Sequence, residues 1–340
     1  MKGPTLRRPT PAVVLAQLGG PETLSDVRPF LYNFFVDLIP DNIPVPAFLV
    51  KPLAWAIASW RYRYSQQLYA SIGGGSPLRA QTQAQADALS AELRRRGNAM
   101  PVYVAMRNWH PFSDVAVRQA VADEVTDIVF LPLYPQYSYS TTRSSLNEFR
   151  RVTAQLQAPY RLRVVEEYCE DPSYVAALVE MTRGALASFS APASDVHLIF
   201  SAHGLPLKYI ERGDPYLDQI KRTMAKATES LAHPGPAHLA FQSRLGPDKW
   251  LSPSTDGLIH ELGGAGAKAV CIVPIAFVSE HVETLNEIDI QYAAVARESG
   301  IAEFHRASTV QCHPDYIRCL ADLTERAFER EIGAAAGAIA

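Results

Sequence analysis

Cysteine is scarce in this 340-residue sequence: Cys169, Cys271, Cys312 and Cys319 stand far apart. Four thiols so scattered do not make the disulfide framework of a small secreted domain, and a reduced, cytosolic protein is the expectation. Charge of one sign is also lacking. The 32 Lys and Arg are balanced by 35 Asp and Glu, for a net charge of −3, so nucleic acid held on a basic surface is not expected. No run approaches the ~20 apolar residues of a membrane-spanning helix. No phosphate-binding glycine fingerprint follows the first apolar run, which argues against a nucleotide enzyme. What remains is 48% hydrophobic and 20% charged residues, a globular chain of about two domains.

Short apolar runs alternate with helical stretches. The runs are 12–18, 102–106, 127–133, 161–168, 196–201, 238–243, 269–277 and 304–309. Several are apolar on consecutive positions, as strands buried on both faces require. Helices are expected over 77–96, 113–124, 144–157, 172–188, 215–231, 255–262, 282–298 and 314–331. This alternation predicts an α/β fold with parallel sheets. Lys2, Arg7 and Arg8 precede the first run. That run is short and meets Gly19-Gly20-Pro21, so it reads as a strand and not as a secretory leader. Residues 43–60 (IPVPAFLVKPLAWAIASW) are very apolar, and Tyr62, Tyr64, Arg61 and Arg63 follow them. Aromatic and basic residues beside an apolar surface suit a membrane interface. A core helix or a dimer contact explains the same composition.

Four segments before residue 190 are echoed in order after it. LAQLGGP resembles IFSAHGLP, VAMRNWHP resembles AFQSRLGP, VFLPLYP resembles CIVPIAF, and EYCEDPSYVAAL resembles QCHPDYIRCL. Two similar α/β domains, 1–190 and 191–340, would enclose a cleft, with the last helix packing back on the first domain. Ligands of open α/β sheets bind beyond the carboxyl ends of the strands. Chemistry is therefore sought there. His203 follows the fifth strand, where a histidine serves as base or metal ligand, although a lone histidine is more often structural. After the seventh strand, Ser279 is placed to cap a helix, with Glu280 and Glu283 in its first turn. Capping does not explain Glu283 and Glu287 stacked at i, i+4 with His281 beside them. These four, His203 included, offer nitrogen and oxygen ligands to a divalent transition metal. Ser76 and Pro77, in GGGSP, stand at a helix start that can hold an anion, or simply form a proline-initiated turn. Tyr134, Tyr137, Tyr139, Arg107, Asn108, Trp109 and His110 could line a pocket for a flat anionic ligand, or be ordinary core residues.

LGGP, GGGSPL, MRNWHP, YPQYSYSTT, SAHGLP, FQSRLGP and VPIAFVSEHVETLNEID together resemble ferrochelatase, in that family's order and over nearly the whole chain. The resemblance implies two Rossmann-like domains clasping a porphyrin, and insertion of Fe²⁺ into protoporphyrin IX as the last step of haem synthesis. It places His203 and Glu283 as catalytic and metal-handling residues, with His281 and Glu287 beside them. Tyr134, Arg107 and Ser138 match pocket-lining positions, and Ser76 and Pro77 are grouped with them. Gln291 stands where many members carry a third acid. Glu283 is expected opposite His203 across the cleft. No permanent cofactor is implied. A [2Fe–2S] cluster is not expected, because Tyr139 occupies one ligand position and the tail after Glu331 has no cysteine. Residues 43–64 become a lip on the membrane surface, which favours protoporphyrin, a cytoplasmic protein peripheral to the inner face of the cell membrane, and contact with the preceding haem-pathway enzyme. The rival readings are a coproporphyrin, cobalt or sirohydrochlorin chelatase, and a two-domain binding protein without turnover.

Overall fold

The computed structural model describes residues 10–244, 246 and 248–337. Lys2, Arg7, Arg8, Leu245, Pro247 and the last three residues of the tail lie outside these. Eight strands form two four-stranded parallel sheets. They are β1 (Pro11–Gln17), β2 (Val102–Met106), β3 (Asp127–Pro132), β4 (Arg161–Val164), β5 (Val196–His203), β6 (Ala237–Gln242), β7 (Ala269–Pro274) and β8 (Glu303–Arg306). The orders are β2-β1-β3-β4 and β6-β5-β7-β8. Three of the four sequence echoes thus fall on equivalent strands of two sheets with one topology, and the fourth falls at the starts of the helices that follow β4 and β8. Leu15 pairs with Val104 on one side and Leu131 on the other, and Leu198 likewise with Ala237 and Cys271. The inner strands β3 and β7 are buried at every residue, because helices cover both faces of a parallel sheet.

The helices are α1 (Val27–Asn42), α2 (Ala47–Ser71), α3 (Leu78–Arg95), α4 (Ser113–Ala122), α5 (Ser144–Gln155), α6 (Pro172–Leu186), α7 (Leu207–Glu211), α8 (Tyr216–Leu231), α9 (Thr255–Gly264), α10 (Ala293–Glu298) and α11 (Pro314–Gly337). The pair α1–α2 was not foreseen as a unit. Its prolines explain why: Pro44 and Pro46 form the connection, and Pro52 interrupts the apolar run yet sits inside α2. Val27, Leu31, Phe35 and Ile39 pack against Val50, Ala54, Ala58 and Tyr69, and Trp109 and Val282 join them. No helix among the described residues is long and apolar enough to cross a membrane.

One apolar core runs through both sheets by way of α6, α8 and α11. Helix α11 returns to lie on α3 and α6. Polar contacts fix the two halves in register. Tyr174 Oη donates to the Ile275 carbonyl at 2.9 Å, and Gln85 donates to the Gln311 carbonyl at 3.0 Å. The carboxyl ends of both sheets are thereby held toward one another by buried hydrogen bonds, which are costly to leave unmade.

At the start of β3, Asp127 is buried and accepts from Arg163 at 2.6 Å and from Thr126 Oγ1 at 2.8 Å, with Arg161 at 3.0 Å. Burial works against its charge, but Arg163, Thr126 and Arg161 outweigh burial and lower its pKa from 3.8. Asp127→Ala should cost about 2 kcal/mol, between the surface and buried limits for such pairs. Because the folded value is the lower one, this stabilisation is complete above the unfolded pKa of 3.8 and is lost as pH falls through the folded value. Urea midpoints of wild type and variant should therefore converge in acid. A gap that does not change with pH would contradict the assignment.

Candidate active site

Strand β5 delivers His203 to the carboxyl edge of the second sheet. Gly204 follows because a Cβ there would stand 2.8 Å from the Gln242 carbonyl oxygen, which the Gly204 N–H itself reaches at 2.8 Å. Tyr216 Oη donates to the His203 carbonyl at 3.0 Å. The main chain around the histidine is therefore held on two sides.

Beyond β7, the expected α-helix over 282–298 is different. Residues Glu283–Tyr292 are wound as a π-helix, and only Ala293–Glu298 are α-helical. The wider turn pairs side chains five residues apart. Tyr292 Oη donates to Glu287 at 2.7 Å, and Gln291 donates to Asn286 at 2.6 Å. Such segments are rare and recur at functional sites. Ser279 does not cap this helix. Its hydroxyl meets Gln85 Oε1 at 3.3 Å. Glu280 is not a first-turn dipole partner either: it is buried on Arg306 at 3.0 Å and on the Thr309 N–H at 2.9 Å.

Glu283 is not across the cleft from His203. Both sit on the same edge of the second sheet, with Glu283 Oε2 2.8 Å from His203 Nδ1. The reason is topological: β5 and β7 are neighbouring strands, so the residues that follow them meet side by side. His203 Nε2 makes no hydrogen bond to a described residue, and 39% of the side chain is open to solvent. His281 lies on the other side of Glu283, its Nε2 3.8 Å from Oε1, with its ring against Phe277.

Ser243, which lies in FQSRLGP with no role expected for it there, joins the two carboxylates. Its hydroxyl donates to Glu283 Oε2 at 2.9 Å and contacts Glu287 Oε2, while its N–H donates to Glu287 Oε1 at 2.9 Å. Its φ of +63° is left-handed, strained for a residue with a side chain. Gln242 adds an amide contact to Glu287 at 3.2 Å and is itself held by Ser201 at 2.7 Å.

The charges divide unequally along this chain of groups. Burial works against the His203 imidazolium, but the Glu283 carboxylate, aided by Glu287, outweighs burial and raises the His203 pKa above 6.5. Burial likewise opposes charge on Glu283. His203, then His281 and Ser243, overcome it and hold Glu283 down at about 2. His281 is lowered by burial and stays neutral at pH 7. Glu287 is raised by burial and by the Glu283 charge. The result is a strong imidazole base with its counter-charge attached, next to a carboxyl that takes up a proton more readily than usual.

The remaining pocket candidates follow the strands of the first sheet. Tyr134 follows β3 and is half-buried; burial raises its hydroxyl pKa. Arg107 follows β2 and is already paired: its guanidinium contacts Asp37 of α1 and donates to Ser144 Oγ at 2.9 Å. Ser138 is buried with its hydroxyl on Asp214 at 2.9 Å, so it fixes the loop instead of facing the cleft. Asn108 and Trp109 are buried as well, Trp109 packing edge-on to Phe30. The Ser76 N–H is taken by the Pro21 carbonyl at 2.7 Å, and Pro77 precedes α3. Gly20 and Gly75 let these two loops touch, since a Cβ on Gly75 would stand 2.0 Å from the Glu22 carbonyl oxygen. All four cysteines are free thiols, only Cys312 being exposed.

Two like-wound parallel sheets thus carry imidazole and carboxylate groups together at one carboxyl edge. Among solved structures, SirB from Bacillus subtilis with Fe³⁺ shares the fold with a TM-score of 0.56 at 12% identity, covering 95% of this chain and 98% of that one. The family model described as Ferrochelatase matches residues 10–328. The ferrochelatase of Nostoc sp. is 45% identical over 92% of this chain and 80% of its own length. That of Synechococcus elongatus is 45% identical over 94% and 82%. The chain belongs to the ferrochelatase family, metal chelatases of the lyase class that act on a porphyrin and Fe²⁺.

Replacing Glu283 by Gln removes the charge that lifts His203 and leaves the burial that opposes it. The His203 pKa should fall below 6.5, as read by imidazole proton resonances during a pH titration of the protein without substrate. An unchanged His203 titration would refute the coupling.

Proposed function

We propose that this enzyme inserts Fe²⁺ into protoporphyrin IX to give protohaem, the terminal step of haem synthesis, with His203 and Glu283 as its catalytic pair. The 2.8 Å Nδ1–Oε2 contact is the observation that carries this reading. A histidine whose one ring nitrogen is held by a carboxylate presents the other, correctly oriented, to a proton or a metal. Metal insertion must remove two pyrrole protons. His203 Nε2 takes one, and Glu283 balances the imidazolium so formed. Ser243 couples Glu283 to Glu287, whose raised pKa suits it to hold the second. His281, neutral beside Glu283, adds a nitrogen ligand for the incoming Fe²⁺. A proton acceptor placed in this way contributes about 10²–10⁴-fold to rate.

The lip supports protoporphyrin as the substrate and a membrane surface as its setting. On α2, Phe48 is 76%, Trp55 57% and Trp60 80% exposed. Large apolar side chains on one exposed helix suit an interface, and a porphyrin with fewer carboxylates partitions there. A cytoplasmic enzyme resting on the inner face of the cell membrane fits this surface. Arg107, neutralised by Asp37, does not favour a substrate richer in carboxylates.

Anaerobic insertion followed by absorbance, with protoporphyrin IX and coproporphyrin III offered separately, tests both parts. Protoporphyrin should be metallated faster, and His203→Ala and Glu283→Gln should each lose at least about 100-fold while keeping their circular dichroism. Ser243→Ala should lose about tenfold, the loss of one hydrogen bond to a charged group. Turnover of coproporphyrin alone would reassign the substrate. Near-normal rates in the variants would remove the catalytic pair.

A further inference from the structure

We infer that the groove between α1 and α2 is a binding site for the phosphate headgroup of an anionic lipid. The inference rests on the membrane reading above and specifies which membrane. The groove is an open surface depression of about 370 Å³, lined by Arg28, Pro29 and Tyr32 of α1 and by Lys51, Trp55 and Ala58 of α2. Lys51, Trp55 and Ala58 recur at i, i+4 and i+7, which places them along one face of α2. The Arg28 guanidinium lies over the Trp55 ring at 5.2 Å and the Tyr62 ring at 5.9 Å. Cation–π contact positions a guanidinium without neutralising it. Neither Arg28 nor Lys51 forms an ion pair with a described residue.

Of the four acids on and before α1, three are engaged elsewhere, and Asp41 stands exposed at the far end of the helix. Asp26 accepts from Thr23 at 2.9 Å, Glu22 pairs with Arg79 at 2.6 Å, and Asp37 pairs with Arg107. The charge pattern of the lip points the same way. Between residues 43 and 71 there are Lys51, Arg61 and Arg63 and no Asp or Glu, in a chain whose net charge is −3. Cations without an ion-pair partner therefore lie on the same helix as Phe48, Trp55 and Trp60. A guanidinium and an ammonium across one groove suit a phosphate oxyanion. The exposed aromatic side chains put that groove at headgroup depth when they enter an interface. Charge complementarity thus selects an anionic phospholipid over a neutral one.

The test is sedimentation of the full-length chain with vesicles of phosphatidylcholine alone or mixed with phosphatidylglycerol. Wild type should bind the mixed vesicles more tightly. The double variant Arg28→Glu/Lys51→Glu should lose that preference, a weakening of at least about fivefold per cation, while still binding phosphatidylcholine and metallating detergent-dispersed porphyrin at the wild-type rate. The charge-matched double variant Arg94→Glu/Arg150→Glu, at exposed positions on α3 and α5, should keep the preference, which excludes a simple effect of net charge. Wild type that binds neither vesicle would remove the membrane reading itself. Wild type that binds both equally, or a double variant that keeps the preference, would overturn the headgroup site and leave the membrane reading standing. Stabilisation of wild type by inorganic phosphate that depends on Arg28 and Lys51, without any vesicle preference, would also overturn it, because the groove would then serve free phosphate.

Discussion

An imidazole and a carboxylate 2.8 Å apart at the edge of a buried sheet set the conditions for everything around them. Each charge alone would be expensive there, and each makes the other tolerable. The neighbourhood is arranged to that end. Gly204 brings the His203 turn close to β6, the π-helix turns Glu283 toward β5, and Ser243 takes a left-handed φ of +63° to reach two carboxylates at once. Local backbone strain of this kind persists where surrounding structure over-determines it. Here three strand ends, those of β5, β6 and β7, supply that structure.

The two halves share a fold but carry different side chains. The second sheet carries the coupled imidazole and carboxylate groups. The first sheet carries Tyr134 and the Arg107–Asp37–Ser144 cluster, together with the α1–α2 hairpin. Their relative position is fixed by a continuous apolar core and by buried contacts such as Tyr174 to the Ile275 carbonyl. The two sheets therefore share one folded core and are not independent bodies.

The strands were legible because strands buried on both faces must be apolar over most of their length, as 128–132 and 269–274 are. The internal echoes were legible because equivalent strand ends carry equivalent turns. His203, Glu283 and Glu287 stood out because the chemistry of α/β sheets gathers at carboxyl ends. Their mutual placement was not legible: only the pairing of β5 with β7 puts Glu283 beside His203 and not opposite it. The α1–α2 hairpin was hidden because Phe48, Trp55 and Trp60 are apolar on its exposed face, which erases the two-sided pattern of an amphipathic helix. The π-helix was hidden because ETLNEIDIQY reads equally well as α. Its signature, the pairs 287–292 and 286–291, appears only in three dimensions. Arg107 looked free for substrate because its partner Asp37 lies 70 residues earlier.

In the proposed catalytic pair His203 acts through Nε2 while Glu283 holds Nδ1. This arrangement is tested most directly by chemical rescue: His203→Gly assayed anaerobically for metal insertion with increasing free imidazole, in the presence of Glu283 and again with Glu283→Gln. The account predicts an inactive variant whose activity returns and saturates with imidazole only when Glu283 is present. Substantial activity without imidazole, or rescue indifferent to Glu283, would contradict it.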